Sequence, residues 1–392
     1  MNTYTKEDTI LPNLSILSTN TISTNTISTN EECKTLVIGG GGSLIYSFVG
    51  VLNQMFTNKD LSQIVNCIGT SAGAIIAMII TSGATNEYIT QMMCAYDIKT
   101  ISDHSSWTVY NIYSILKYFG YNKGEVALQW LENIVETLTG NRNITFAQHY
   151  ALFKKNLIIT GCNISKNTFR YFNRLTDPDM KISHAIRISM SVPLFFKPFE
   201  YNGDLYIDGG TTLNYPISFV VTDMFKLLNN YDPEIIGPNY TGEIMNVTKA
   251  QTNLYDLDLD IMMNDTTSKD FILKRTIGIK TFNKRTLNYI KPGSNYGVHA
   301  DFNIYSYCMA VMSMMTDAAL REYIDEEMWS RTIKIDSSKY DSLNFNVTTD
   351  MINSMIELGR NSTIHFMGGD NANINTKKIV VPTKRKSKSL KN

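Results

Sequence analysis

Short apolar runs alternate along the chain with stretches whose apolar residues recur every three to four positions. The run at residues 35–38 stops at glycines and reads as a buried strand. Residues 48–56 carry a helical pattern. A second strand is predicted at 64–68, a strongly apolar helix at 72–82, and another helix at 126–138. Further strands are predicted at 156–162, 168–172, 205–207, 276–281 and 331–336. Strands separated by helices imply an α/β protein with a mostly parallel sheet covered on both faces. Residues 230–267 are less regular and read as an insertion. Alternating Asp256, Asp258 and Asp260 there lack the central Gly and terminal Glu of a calcium loop.

The two ends break the pattern. Residues 17–30 read LSTNTISTNTISTN, too polar to bury the surface that would offset its ordering entropy. Residues 1–31 are therefore predicted to be a disordered tail. Residues 371–392 hold seven basic residues (Lys377, Lys378, Lys384, Arg385, Lys386, Lys388 and Lys391) and no acidic one. This basic tail is also predicted to be disordered, with an anionic membrane surface or nuclear import as candidate roles. The ordered part is expected to run from 32–225 as a core, with 226–370 continuing the same domain.

Composition narrows the function. The 392 residues are 43% hydrophobic and 18% charged, enough for a sizeable core. Lys+Arg and Asp+Glu both number 36, which argues against a basic nucleic-acid binder. No apolar run approaches the roughly 18 residues of a membrane span, and no basic start precedes an apolar stretch as in a secretory signal. The scattered Cys33, Cys67, Cys94, Cys162 and Cys308 suit reduced thiols rather than a disulfide or zinc framework. An intracellular protein, soluble or peripherally membrane-associated, is expected.

Three local features carry chemistry. Gly69-Thr70-Ser71-Ala72-Gly73 matches Gly-x-Ser-x-Gly between a predicted strand and a predicted helix. There the turn is sharp, the serine oxygen projects from the sheet, and helix N–H groups stand where negative charge develops. The pentapeptide alone recurs by chance in roughly one chain in eight of this length, so the context matters. Gly39-Gly40-Gly41-Gly42 directly follows the first strand and exposes backbone N–H groups. It fits neither a dinucleotide fingerprint nor a phosphate-binding P-loop, because Leu44 and Ile45 stand where Gly is needed and no Gly-Lys-Ser/Thr follows. An oxyanion loop or a tight packing turn remains. Asp208-Gly209-Gly210 closes the strand at 205–207, placing a carboxylate in the site layer of an α/β sheet.

In this order the three features resemble the patatin-like phospholipases. The segment from Ser189 to Pro198, Thr145-Phe146 through Tyr150, Asn214 with Pro216, and Leu358-Gly359 to Phe366 resemble further family segments, so the likeness covers about residues 33–368. One departure stands out. The family loop usually reads Gly-Gly-Gly-x-Lys/Arg-Gly, whereas Leu44 and Ile45 occupy the basic and final glycine positions here. The resemblance implies a three-layer α/β/α fold with a mostly parallel central sheet.

The resemblance also implies a lipid acyl hydrolase of phospholipase A type using a Ser–Asp dyad. Ser71 would attack an ester carbonyl, with Asp208 accepting its proton directly or helping to position it. Backbone donors come from Gly40, Gly41, Gly42 and Ala72, with Gly69, Gly73, Gly209 and Gly210 as motif glycines. No metal or other cofactor is required. The expected partners are a phospholipid or other acyl-ester lipid and a peripheral membrane surface, with no specific nucleic acid. A Ser, Asp/Glu, His triad would need His299 or His365 after Asp208, and neither has a catalytic context; His104, His149 and His184 precede it. The altered loop motivates an alternative, a weak or inactive patatin-like protein that binds lipid without turnover.

Overall fold

The computed structural model describes residues 33–56, 61–95, 98–101, 109–220, 272–282 and 324–368. The tails at 1–31 and 371–392, the irregular 230–267 segment, His104, His299 and Cys308 lie outside the described residues.

An eight-stranded sheet forms the centre, in the order β10-β9-β1-β2-β4-β8-β7, with β5 paired to β4. β1 (Thr35–Ile38), β2 (Asn66–Gly69), β4 (Asn156–Asn163), β9 (Thr276–Phe282) and β10 (Thr332–Asp336) run parallel. β5 (Thr168–Phe172), β7 (Phe199–Tyr201) and β8 (Asp204–Asp208) are antiparallel to their neighbours. A separate parallel pair joins β3 (Gly120–Asn122) to β6 (Leu194–Phe196).

Alternate strand residues enter two hydrophobic clusters, because successive side chains leave a strand on opposite faces. Leu36, Ile38, Cys67, Leu157, Ile159 and Ile279 face one cluster. Val37, Ile68, Ile158 and Phe282 face the other. Both faces are buried, which is why these strands read as continuous apolar runs. The first face is covered by α1 (Ile45–Met55), α2 (Ala72–Thr81), α5 (Glu125–Thr139), α7 (Ile182–Ser189) and α10 (Thr349–Phe366). The second is covered around α8 (Ile217–Phe219) and α9 (Glu326–Ser330). The result is the expected α/β fold, a mostly parallel central sheet flanked by helices. Among the described residues no helix is long and apolar enough to cross a membrane.

Several boundaries differ from the sequence reading. α1 starts at Ile45, three residues before the expected 48, because the glycine loop closes in a short turn at Gly42–Leu44 that feeds the helix directly. β2 begins at Asn66 rather than at 64. The sequence reading also missed α3 (Asn86–Ala95), α4 (Val109–Tyr118), β3, β6 and β7, and it did not assign α6 (Phe146–Phe153) or α7 as helices. α6 begins with a capping box, in which the Thr145 hydroxyl accepts from the Gln148 N–H while the Gln148 side chain accepts from the Thr145 N–H.

α1 and α10 pack closely through two glycines. A β-carbon on Gly50 would strike the Ile356 backbone, and one on Gly359 the Ser47 backbone. This contact closes the helix after the glycine loop against the last described helix. The parallel strands meanwhile bring the C-terminal ends of β1, β2 and β9 to one end of the sheet, where ligands of such sheets bind.

Candidate active site

Ser71 occupies the turn between β2 and α2 with φ 54° and ψ −121°. A side-chain-bearing residue rarely adopts this conformation, and the packing around it compels the turn. A β-carbon on Gly69 would lie 2.5 Å from the Ala74 Cα, and one on Gly73 would strike the Ile38 carbonyl at the end of β1. Both motif glycines are therefore steric necessities. The Thr70 N–H donates to the Ile38 carbonyl at 3.0 Å and the Ser71 N–H to the Ser189 hydroxyl at 2.8 Å. These bonds tie the turn to β1 and to α7.

Asp208 ends β8, opposite Gly161 of β4, and is 4% exposed. Its N–H donates to the Ser191 carbonyl at 3.0 Å, and its carboxylate accepts from the Gly210 N–H at 2.6 Å. Gly209 lies against Thr160, where a β-carbon would collide with the Thr160 hydroxyl. Burial raises the Asp208 pKa from 3.8 to about 7. The Gly210 N–H, a hydrogen bond from the Ser71 side chain and the charge of Lys280 oppose that rise. Ser71 and Asp208, the pair singled out from sequence, line one cavity.

The glycine loop presents its donors unequally. Gly39 donates to the Ile279 carbonyl at 2.9 Å, and Gly40 donates to Asn214, to its carbonyl at 3.1 Å and its side-chain oxygen at 3.0 Å. The expectation that Gly40 offers a donor to the site is corrected by this bond, because its N–H is already spent on Asn214. Gly42 adopts φ 53°, and a β-carbon there would run into the Ser342 carbonyl. Among the described residues the N–H groups of Gly41, Gly42 and Ala72 donate to no backbone carbonyl.

Gly40, Gly41, Gly42, Ser71, Ala72, Asp208 and Gly210 line one cavity of about 360 Å³. Gly69, Gly73 and Gly209 are packed behind its wall. Much of the rest is apolar, including Leu44, Ile45, Ile75, Ile98, Trp130 and Phe195. Leu44 and Ile45, the two departures in the loop, are buried and face this cavity. The loop therefore adds hydrocarbon where the family pattern carries a cation.

Residues 36–221 match the family model described as patatin-like phospholipase. This segment is similar to the patatin-like phospholipases. The chain is 35% identical over 199 residues to an uncharacterized protein of Acanthamoeba polyphaga mimivirus, across 50% of this chain and 65% of that protein. It is 32% identical over 196 residues to a probable lipid hydrolase of Invertebrate iridescent virus 6, across 48% of this chain and 63% of that protein. The chain thus spans less than two thirds of the length of these relatives. Among solved structures, VipD from Legionella pneumophila aligns with a TM-score of 0.47 at 15% identity, over 86% of this chain and 67% of that one.

The patatin-like segment does not supply the whole cavity. Lys280 and Thr281 of β9, and Ser337, Tyr340 and Ser342 after β10, also line it and lie beyond residue 221. The Thr281 hydroxyl donates to the Gly40 carbonyl at 3.3 Å, and the Ser43 N–H to the Ser342 carbonyl at 2.8 Å. The sequence reading missed Lys280, Thr281 and Ser189. The available signal for Lys280 was a lone cation inside the apolar 276–282 run. No described histidine lines the cavity. His149 is buried against the Ser82 hydroxyl at 3.1 Å, and burial lowers its pKa to about 4. His184 packs on Phe199, and His365 is exposed near the end of α10.

Proposed function

We propose that the chain is a lipid acyl hydrolase that cleaves fatty acyl esters of membrane phospholipids through Ser71 and Asp208. The observation that carries this reading is the strained Ser71, sharing the wall of a largely apolar cavity with a buried carboxylate of raised pKa. The family match and the iridovirus likeness support a lipid ester as substrate.

Ser71 Oγ attacks the ester carbonyl carbon while its proton passes to Asp208. The carbonyl oxygen becomes an oxyanion that accepts from the N–H groups of Gly41, Gly42 and Ala72. Losing one such donor typically costs about 10²–10³ in rate. The ester bond then breaks, and the leaving alkoxide takes the proton from Asp208 and departs as the lysolipid alcohol. Water attacks the acyl-Ser71 ester, giving a proton to Asp208 and releasing the fatty acid. Asp208 returns the proton to Ser71 Oγ. A carboxylate with a pKa of about 7 is matched to both directions of this transfer. Leu44 and Ile45 add to the apolar wall available to the acyl chain.

Ser71→Ala and Asp208→Asn should each lower ester hydrolysis by at least about 10³-fold while melting cooperatively. Wild-type-level turnover by either folded variant would remove the dyad. The altered loop supports a second reading, lipid binding without turnover. A fluorophosphonate probe separates the two, since stoichiometric labelling of Ser71 requires an activated nucleophile.

A further inference from the structure

Residues 337–345 follow β10 and form neither helix nor strand, yet Ser337, Tyr340, Asp341, Ser342, Leu343 and Phe345 all line the cavity. The segment is pinned along its length. The Ser337 N–H and hydroxyl both donate to the Phe282 carbonyl at 2.8 Å. The Tyr340 hydroxyl donates to the Ser354 hydroxyl of α10 at 2.6 Å, and the Phe345 ring centroid lies 5.1 Å from that of Phe195. Between these anchors the segment is tied to the glycine loop through Ser43. The Ser43 N–H donates to the Ser342 carbonyl at 2.8 Å, and the Ser43 hydroxyl to the Asp341 carbonyl at 3.1 Å.

These two bonds complete the anchoring of a loop whose other groups are already held. The Gly40 N–H donates to Asn214, and the Gly40 carbonyl accepts from Thr281. The Gly41 carbonyl accepts from the Leu44 N–H and the Gly42 carbonyl from the Ile45 N–H. The Gly41 and Gly42 N–H groups, assigned above to the oxyanion, therefore sit between fixed neighbours. Gly42 is in the left-handed region, with the Ser342 carbonyl where its β-carbon would be. Ser43 follows it directly and is fully buried. A serine hydroxyl ordinarily bonds to nearby backbone, as Ser47 does to the Leu44 carbonyl at 2.7 Å. Ser43 instead reaches a carbonyl 298 positions away. Oxyanion donors act through preorganised geometry, so what holds the loop bears on the rate.

We propose that Ser43 is a positioning residue of the site: it locks the glycine loop onto the carbonyls of Asp341 and Ser342 so that the Gly41 and Gly42 N–H groups keep the geometry the oxyanion needs. This rests on the Ser71 reading above. Ser43 stands at the variable position of the loop pattern, and the carbonyls it binds lie beyond the patatin-like segment at residues 36–221. The oxyanion hole thus depends on the segment after β10 as well as on the glycines themselves.

The test compares the full chain with its Ser43→Ala variant in the hydrolysis of a neutral short-chain ester, alongside the affinity of each for a trifluoromethyl ketone. Ser71 Oγ adds to the ketone carbon, its proton passes to Asp208, and the ketone oxygen becomes the oxyanion. Deleting a donor outright typically costs about 10²–10³ in rate, so a donor displaced but kept should cost about tenfold. Ser43→Ala should therefore lower kcat by about tenfold at unchanged KM, and weaken ketone binding by a similar factor. A wild-type kcat overturns the proposal. So does a rise in KM at unchanged kcat, which assigns Ser43 to substrate binding, and so does a loss of kcat with ketone affinity intact. Thermal melts identify a variant that fails to fold. In that case Ser43→Cys, close in size but a weak donor, is read by the same criteria. Ser71→Ala is the separate control. If it hydrolyses the ester like wild type, the Ser71 reading fails; if it is inactive while Ser43→Ala matches wild type, the lock alone fails.

Discussion

At the scale of single residues, Asp208 carries a cost that its position makes measurable. Its folded pKa of about 7 exceeds the ordinary 3.8, so the folded protein holds a proton that the unfolded chain has released. That condition spans roughly pH 4 to 7. Stability from this group is therefore present at the acid end and falls as pH rises through that window, at about 1.4 kcal/mol per pH unit. Asp208→Asn does not titrate. Its melting temperature should exceed that of wild type by a margin that widens from pH 5 to pH 8; a constant margin would contradict the burial account. Such gains at the expense of activity are common at functional sites. Ser71 and Asp208 were legible in sequence because each sits in a glycine-bearing turn whose sterics the motif records. The Gly40 donor was misread because its partner, Asn214, is 174 residues away. Lys280 was missed for the same reason: only the pairing of β9 with β1 brings it to the cavity.

At the scale of elements, the strands were legible where both faces are buried, since a fully apolar run with a glycine stop has few other readings. α2 was legible because it is buried all round. α3 was not, because it buries only Ile89 and Met93 within a more polar sequence. β3, β6 and β7 are three residues each, too short to show alternation. The α1–α10 crossing shows what the family-like Leu358-Gly359 segment does physically. Gly359 lets α10 approach α1 until its backbone touches Ser47. Gly359→Ala should cost about 1–3 kcal/mol by forcing the helices apart. Urea denaturation measures this, and an unchanged midpoint would show that the crossing yields at no cost. Because α1 follows the glycine loop directly, the same substitution should also lower ester turnover.

At the scale of the whole molecule, the formal neutrality conceals an asymmetry. The 371–392 segment holds seven of the 36 basic residues and none of the 36 acidic ones, leaving the rest of the chain with 29 against 36, a net of −7. An acidic body is repelled by anionic bilayers, and basic residues near the surface offset this by about 1 kcal/mol each. Deleting residues 371–392 should therefore weaken binding to anionic vesicles at low salt. Unchanged binding in a sedimentation assay would reduce the segment to a solvated end.

The sheet gathers the serine turn, the carboxylate and the glycine loop from positions 39 to 210 around one cavity, and β9 adds a cation from beyond them. Whether that cavity performs acyl transfer is tested most directly by mass spectrometry of the products formed from mixed phospholipid vesicles, with Ser71→Ala as the control. Wild type should release fatty acid and lysophospholipid in equal amounts, and folded Ser71→Ala should release neither above background. Equal release by both proteins, or none by a wild type that binds the vesicles, would contradict hydrolysis through Ser71.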